Sequence, residues 1–413
     1  MTVIRRWPLL LALLAPLCLA AELRFTLGEQ QLSLTAAAPL QLEQLASLRQ
    51  PRLISLGPAG ELLIGSRGGE LYRLPPPYNR AELLATLPGY PHHALVRGDQ
   101  IYVATTAAVL RGPYASDQPL NLEQLKPWLT LPGGGGHTSR TLAIDSAKKL
   151  YVALGITGNC SDQYLHPSYR FNEQRGGIAL IDETGATPQL STFVTGLRNP
   201  VGVIWHGDTL YASNNGPDHL GFELPREILI KTRGPAFYGA PWFYHLHTNN
   251  GGWQVLPDSC ISSRPPQPLT QVALPFASVD ARNAPMAVAV ASSNALPGVA
   301  AGELVVALRG SWATAKPWDN SSRRPPKLVK VDGQGVITDL LSGFQAADGS
   351  RWARPVGLLF APDGSLLFTV DEGAEGLYRL SAAEGKATEQ PPPIAMLDQQ
   401  PGPPQRQRKA ASF

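Results

Sequence analysis

With 413 residues, 43% of them hydrophobic and 16% charged, the chain has enough apolar material for a large core and too little charge for a disordered polymer. A formal net charge of +3, with Lys and Arg scattered rather than gathered into a stripe, excludes an electrostatic nucleic-acid binder. Forty Gly and 39 Pro break up most candidate helices and favour an all-β, turn-rich architecture.

In chain order, residues 1 to about 21 read as an export signal: Arg5 and Arg6, an apolar run from Trp7 to Leu19, then the small residues Ala20 and Ala21. Pro8 and Pro16 interrupt that run, and it falls short of the roughly 20 residues a bilayer span needs, so the mature chain is expected to be periplasmic or secreted with no transmembrane anchor. Removing the signal takes Cys18 away and leaves Cys160 and Cys260. In an oxidising compartment a disulfide between them is the simplest expectation, and closing so long a loop would stabilise by roughly 4–5 kcal/mol in the chain-entropy picture. Two unrelated buried thiols are the alternative. Residues 22–50 read as a lead-in that supplies a closing outer strand.

From residue 51 to 382 one strand signal recurs six times: Leu62-Leu63-Ile64-Gly65, Ile101-Tyr102-Val103-Ala104, Leu150-Tyr151-Val152-Ala153, Leu210-Tyr211-Ala212-Ser213, Leu304-Val305-Val306-Ala307 and Leu366-Leu367-Phe368-Thr369. Most copies follow a turn containing Gly or Asp and, before it, another apolar strand, so each unit begins as a β-hairpin. Spacings of about 39 to 94 residues are on the scale of propeller blades, and six copies predict a six-bladed β-propeller. The longest gap, between the fourth and fifth copies, holds Tyr238 to His245 and reads as a loop insertion rather than a seventh blade. Residues 383–413, with Pro391-Pro392-Pro393 and a basic end, lack apolar period and read as a disordered tail.

A propeller gathers loops from every blade around one axis, so loop segments carry the functional signal. The run Gly133 to Gly136 lets a ligand approach the backbone, and His137 follows at a strand entrance, where a neutral imidazole can accept a proton. In Gly196-Leu197-Arg198-Asn199-Pro200-Val201-Gly202, Arg198 offers a fork of donors on a loop stiffened by Pro200. Asn214-Asn215-Gly216-Pro217-Asp218-His219 is rich in oxygen donors suited to a hard cation such as calcium. Read singly, each of these is equally an ordinary turn, a structural histidine or a blade-tying arginine.

Together, with Arg309-Gly310-Ser311-Trp312, the segments resemble the pyrroloquinoline-quinone (PQQ)-dependent soluble sugar dehydrogenases of the glucose/sorbosone dehydrogenase family, nearest the sorbosone and pyranose dehydrogenase branch. The likeness spans about 51 to 381 and keeps the motifs in order. The resemblance implies that His137 is the base that takes the proton from a sugar's anomeric hydroxyl while the C1 hydrogen leaves as hydride to the quinone. It implies that Arg198 and Asn199 contact the cofactor and reacting oxygens, that Arg309 and Arg354 meet cofactor carboxylates, and that the carbonyls of Gly216 and Pro217 hold calcium. The substrate would be an aldose or sugar aldehyde. Electrons would pass to an external quinone, dye or cytochrome, since there is no Cys-x-x-Cys-His for haem.

Three positions depart from the glucose-oxidising members: Val201 and Asn215 stand where those carry glutamine, and Trp352 where they carry a second arginine. Asp218, His219 and Glu223 are candidate additional ligands, His92 and His93 candidate channel residues, and Tyr238 to Tyr244 a candidate sugar-stacking surface. Two other readings stay open: a silent propeller that binds a glycan or protein, and a calcium-dependent lactonase, which would need acidic side chains around a central metal.

Overall fold

The computed structural model describes residues 20–248, 251–292 and 296–383. The expected signal therefore lies outside the described residues apart from Ala20 and Ala21, and the expected tail apart from Ala383. Among the described residues helix is confined to three single 3-10 turns, and nearly all else is strand and loop.

The strands form six blades around an axis, antiparallel among the described residues except where Ala236–Phe237 joins the edge of blade three in parallel. Blade one is Pro51–Leu56, Leu62–Ser66, Glu70–Leu74 and Glu82–Thr86, in order from the axis outwards. Blades two and three begin with the inner strands His93–Arg97 and Leu142–Ile144, and blade four with Asn199–His206. Blades five and six begin with Pro285–Val290 and Ala353–Phe360. Each of the six recurring tetrapeptides lies on the second strand of its blade. That strand is sandwiched between neighbouring blades, which explains its continuous rather than alternating apolar character. Leu62, Leu63 and Ile64 are fully buried, as are Val305, Val306 and Ala307. Each of the leucine, isoleucine and valine side chains contributes roughly 1.5–3 kcal/mol relative to exposure.

The turn glycines of these hairpins are needed for their backbone: Gly60 and Gly364 sit at φ +85° and +84°, where a side chain would be strained. In two of the six copies the fourth residue of the repeat ties blades together. Ser213 accepts from the Gly202 amide and donates to the Met286 carbonyl of the next blade at 2.6 Å. Thr369 does the same with Gly357 and the Arg52 carbonyl, also at 2.6 Å, joining blade six to blade one.

The ring closes through the N-terminal region. Leu40–Ala46 pairs antiparallel with Gly376–Ala382 and becomes the outermost strand of blade six. The hairpin Ala21–Leu27 and Gln30–Ala36 extends blade five by two strands, a pairing for which the sequence carries no signal. Between the third and fourth strands of blade four, the chain forms a separate hairpin, Phe243–His247 with Trp253–Pro257. Here Phe237 and Trp242 pack on Tyr164, and Phe243 on Phe237, in a buried aromatic cluster, so these rings pack between structural elements. Cys160 and Cys260 form a disulfide, Cα atoms 5.4 Å apart, that ties this insertion to the loop after Leu150–Leu154.

Candidate functional site

The inner strands of blades one, four, five and six share one irregularity. Their pairing shifts just after a proline, between Pro51 and Ile54, Pro200 and Val203, Pro285 and Val288, and Pro355 and Leu358. Proline has no N–H to give the ladder, and the bulge that results re-aims the neighbouring side chains. The residues beside these prolines, among them Arg52, Asn199, Met286 and Arg354, line one cavity of about 660 Å³.

The same cavity is lined by Gly136 and His137 of the glycine-rich loop, by Arg198, by Gly216 and by Arg309. Of the residues expected from sequence, His137, Arg198, Asn199, Gly216, Arg309 and Arg354 thus share one wall-to-wall space. Pro217 lines a small neighbouring cavity of about 30 Å³, to which Arg198 and Gly216 also contribute. Its carbonyl accepts from Arg282 Nη1 at 2.7 Å.

His137 is fixed by the backbone it faces. Its Nδ1 lies 2.6 Å from the Ile156 carbonyl, which can only accept, so in the neutral ring Nδ1 carries the hydrogen and Nε2 keeps its lone pair. Burial, and then the positive charge of Arg198, push its pKa down to about 4. The loop is braced from behind by two wholly buried arginines. Arg140 donates to the carbonyls of His137, Ser139 and Pro132, and Arg175 to those of Gly133, Gly135, Gly155 and His137. Gly136, at φ +77°, allows this close approach: a Cβ there would collide with the Thr157 carbonyl.

Arg198 is held at 3.0 Å by both the carbonyl and the Oδ1 of Asn159, and it reaches the Asn215 carbonyl at 3.4 Å. Those contacts occupy three of its five N–H groups. Burial lowers its pKa. The Asn199 amide donates to Asn214 Oδ1 at 2.9 Å, while its own Oδ1 is buried without a protein partner.

On the opposite wall Arg309 pairs with Asp371 at 2.8 Å and Glu372 at 2.9 Å. Arg354 shares Glu372 at 2.7 Å and donates to the carbonyls of Arg309 and Gly310. Asp371 is also bridged to Arg52. Burial works to raise the Asp371 pKa, but Arg52 and Arg309 outweigh it and leave it lowered.

Sequence reasoning did not reach Arg52, Arg67, Tyr90 or Glu227, all of which line the cavity. Glu227 is 4% exposed, accepts from the Arg282 amide at 3.1 Å and has an Oε2 with no protein partner. Burial pushes its pKa up to about 8. The signal for Arg52 is the proline at the start of the inner strand, Pro51-Arg52, the same juxtaposition as in Arg354-Pro355. Asp218 lines the cavity and pairs with Arg282 at 2.6 Å, whereas Glu223 pairs with Arg324 at 2.6 Å and is exposed. His93 lines a second, apolar cavity, and His92 is fully buried with its Nδ1 3.0 Å from the Tyr90 hydroxyl.

No family model matches the chain. An uncharacterized protein of Borreliella burgdorferi is 28% identical over 248 residues, which is 59% of this chain and 60% of that protein, so the chain matches about three fifths of the length of this curated relative. Among solved structures, a carbohydrate-active enzyme of family AA12 from Trichoderma reesei superimposes with a TM-score of 0.67 at 18% identity, covering 84% of this chain and 97% of that one. The holo form of the pyranose dehydrogenase PQQ domain from Coprinopsis cinerea gives 0.60 at 20% identity, over 85% and 97% of the two chains. The soluble aldose sugar dehydrogenase of Escherichia coli, in the apo form, gives 0.58 at 16% identity, over 83% and 99%. At these identities the likeness is one of fold.

Proposed function

We propose that this chain is an exported sugar dehydrogenase that takes PQQ and calcium, oxidises an aldose or sugar-like aldehyde, and passes the electrons to an external quinone, dye or cytochrome. The observation that carries this reading is an unprotonated imidazole nitrogen, Nε2 of His137, sharing one cavity of about 660 Å³ with the guanidinium of Arg198. It is supported by the fold shared with a pyranose dehydrogenase PQQ domain and an aldose sugar dehydrogenase. Exported localisation is supported by the Cys160–Cys260 disulfide. Among the described residues, no helix is long and apolar enough to cross a membrane.

The residues fit the implied groups. Five arginines line the cavity, which suits a planar ligand carrying three carboxylates, and Arg309 and Arg354 stand together as its anion-binding edge. For calcium, the Gly216 and Pro217 carbonyls are the proposed ligands, with Asp218 supplying negative charge and Glu227 an oxygen donor beside them. When bound, PQQ supplies the acceptor for the hydrogen and electron pair that leave the sugar carbon, and calcium polarises its carbonyl.

The chain's own part is to position and deprotonate. His137 receives the proton of the sugar hydroxyl at Nε2 while its Nδ1–H, held by Ile156, keeps the ring in the correct tautomer. Arg198, locked by Asn159, presents its remaining N–H groups to oxygen atoms that gain negative charge. The side-chain oxygen of Asn199, which has no protein partner, is available to a donor on the ligand.

The test is reconstitution: purified protein with PQQ and calcium chloride, assayed by dye reduction over a panel of sugars. Turnover of at least one sugar is expected, and cofactor binding should persist in His137→Ala while Arg198→Ala weakens both. No cofactor uptake and no turnover across the panel would overturn the reading in favour of a binding module.

A further inference from the structure

Beside the cavity, but outside it, lies an arrangement that the dehydrogenase reading does not use. Among the described residues, Cys160, His219 and Cys260 bring three metal-ligating atoms within 4.8 Å of one another. His219 Nδ1 stands 3.7 Å from the Cys160 sulfur and 3.4 Å from the Cys260 sulfur. Its Nε2 lies 2.6 Å from Asp258 Oδ1, and that carboxylate is 1% exposed.

A disulfide alone gives no reason for this histidine. Asp258 accepts the Nε2 hydrogen, which in the neutral ring leaves Nδ1 with a lone pair turned towards both sulfurs. Disulfide sulfurs have no hydrogen to donate, so in the neutral ring the Nδ1 lone pair gains no hydrogen bond from the contact in the oxidised state. The same Asp258 oxygen also accepts the Cys260 amide at 2.9 Å, so one buried carboxylate aims the imidazole and sets the turn carrying one of the sulfurs. A carboxylate behind a ligating histidine is the arrangement that fixes ring orientation in metal sites.

Distances agree with one ion. At metal–sulfur and metal–nitrogen lengths of about 2.3 and 2.0 Å, tetrahedral ligand atoms lie roughly 3.5–3.8 Å apart. The two sulfur–nitrogen separations already match that edge, so only the sulfurs have to part.

We propose that Cys160, Cys260 and His219 form, on reduction, a site for a zinc-class divalent ion, with Asp258 orienting the histidine. A dithiol reduces the bond by thiol–disulfide exchange: the protein disulfide becomes two thiols and the dithiol becomes a cyclic disulfide. The ion then displaces two thiol protons and bonds to two thiolates and Nδ1. Three protein ligands leave the fourth position to water, and the partly exposed His219 edge is the entry path. The ion takes over from the disulfide as the link between the insertion and the loop in which Asn159 grips Arg198. This site stands independently of the dehydrogenase reading.

The experiment reduces the purified protein with dithiothreitol, removes the reagent by gel filtration under argon, and titrates the protein with Co2+. One ion per chain is expected, with thiolate-to-cobalt charge-transfer and tetrahedral ligand-field bands that Zn2+ abolishes, while the oxidised protein shows none. Asp258→Asn should weaken affinity by about 10–100-fold and His219→Ala by at least as much. Uptake that is absent after reduction, or unchanged in His219→Ala, overturns the proposal. Where reduction itself erases the far-UV β signal, recovery on adding Zn2+ upholds the site and failure to recover overturns it.

Discussion

The two ends of the axial channel are built from the same six inner strands and share almost no chemistry. At the end where those strands begin, the cavity carries His137 and five arginines. A few residues further along, beyond the proline bulges, the channel holds an apolar cavity of about 280 Å³ lined by side chains such as Leu53, Ile54, Val203 and Leu358. His93, the histidine of that second cavity, is pushed by burial down to a pKa of about 4, much as His137 is. The difference lies in the partners. His93 Nδ1 accepts from the Leu142 amide at 3.2 Å and serves as a backbone prop, whereas His137 uses its Nδ1 as donor and keeps Nε2 for the cavity. A lowered pKa alone does not mark a base; the direction of the other nitrogen's hydrogen bond does.

The largest effect should come from exchanging the two histidines' fates. His137→Ala is expected to lower turnover of the reconstituted protein by about 10²–10⁴-fold, the usual range for a lost general base, while His93→Ala leaves turnover per folded molecule near wild type. Steady-state dye reduction, normalised to folded protein by circular dichroism, decides this. If both variants lose activity equally, the contrast between the channel ends collapses.

Next in size is the charge scaffold of the polar end. Asp371→Asn leaves Arg52 and Arg309 without their shared carboxylate in a buried setting and should cost roughly 3–5 kcal/mol in thermal or urea unfolding. Asp208→Asn, whose partner Arg233 is as exposed as itself, should change stability by about 1 kcal/mol or less. At the apolar end, Leu358→Ala should cost about 2 kcal/mol, the low end for such a truncation because the side chain already borders a cavity.

The subtlest test is pH. Folded His137 stays neutral down to about 4 instead of 6.5, so kcat/KM should lose its acid limb near pH 4. The same shift means that its contribution to stability is present above 6.5 and declines as pH falls from 6.5 towards 4. Glu227 works in the other direction. Its carboxyl keeps its proton up to about pH 8 in the folded chain but only to an ordinary 4.5 when unfolded, so stability falls as pH rises between those values. Urea unfolding of Glu227→Gln should flatten that slope.

Much of the fold was readable because a twice-sandwiched strand must be apolar throughout, which is why the second strand of each blade repeats in similar letters. The loop motifs around His137, Arg198 and Gly216 were readable because glycine, proline and polar residues cluster there against an apolar background. Arg52 and Glu227 escaped because each is one polar letter inside an ordinary strand, and only the bulge turns Arg52 to the axis. Arg175 escaped because its partners are the carbonyls of Gly133, Gly135, His137 and Gly155, and a carbonyl leaves no mark in sequence. The hairpin Ala21–Leu27 and Gln30–Ala36 reads as an edge of any sheet; its attachment to Leu341 and Ser342 is a long-range pairing that local pattern does not encode.

The outermost strand of the last blade comes from Leu40–Ala46, more than 300 residues before its partner Gly376–Ala382. An early segment must therefore wait, unpaired, until nearly the whole polypeptide has been made, and the slow loop closure this demands sets when the ring can lock. Until then blade six, which brings Arg354 and the Asp371–Glu372 pair, has no outer edge. The molecule completes its ligand-binding end at the last step of assembly, so a chain cut short before residue 353 should keep the loop of His137 but lose Arg354 and the Asp371–Glu372 pair from the wall opposite it.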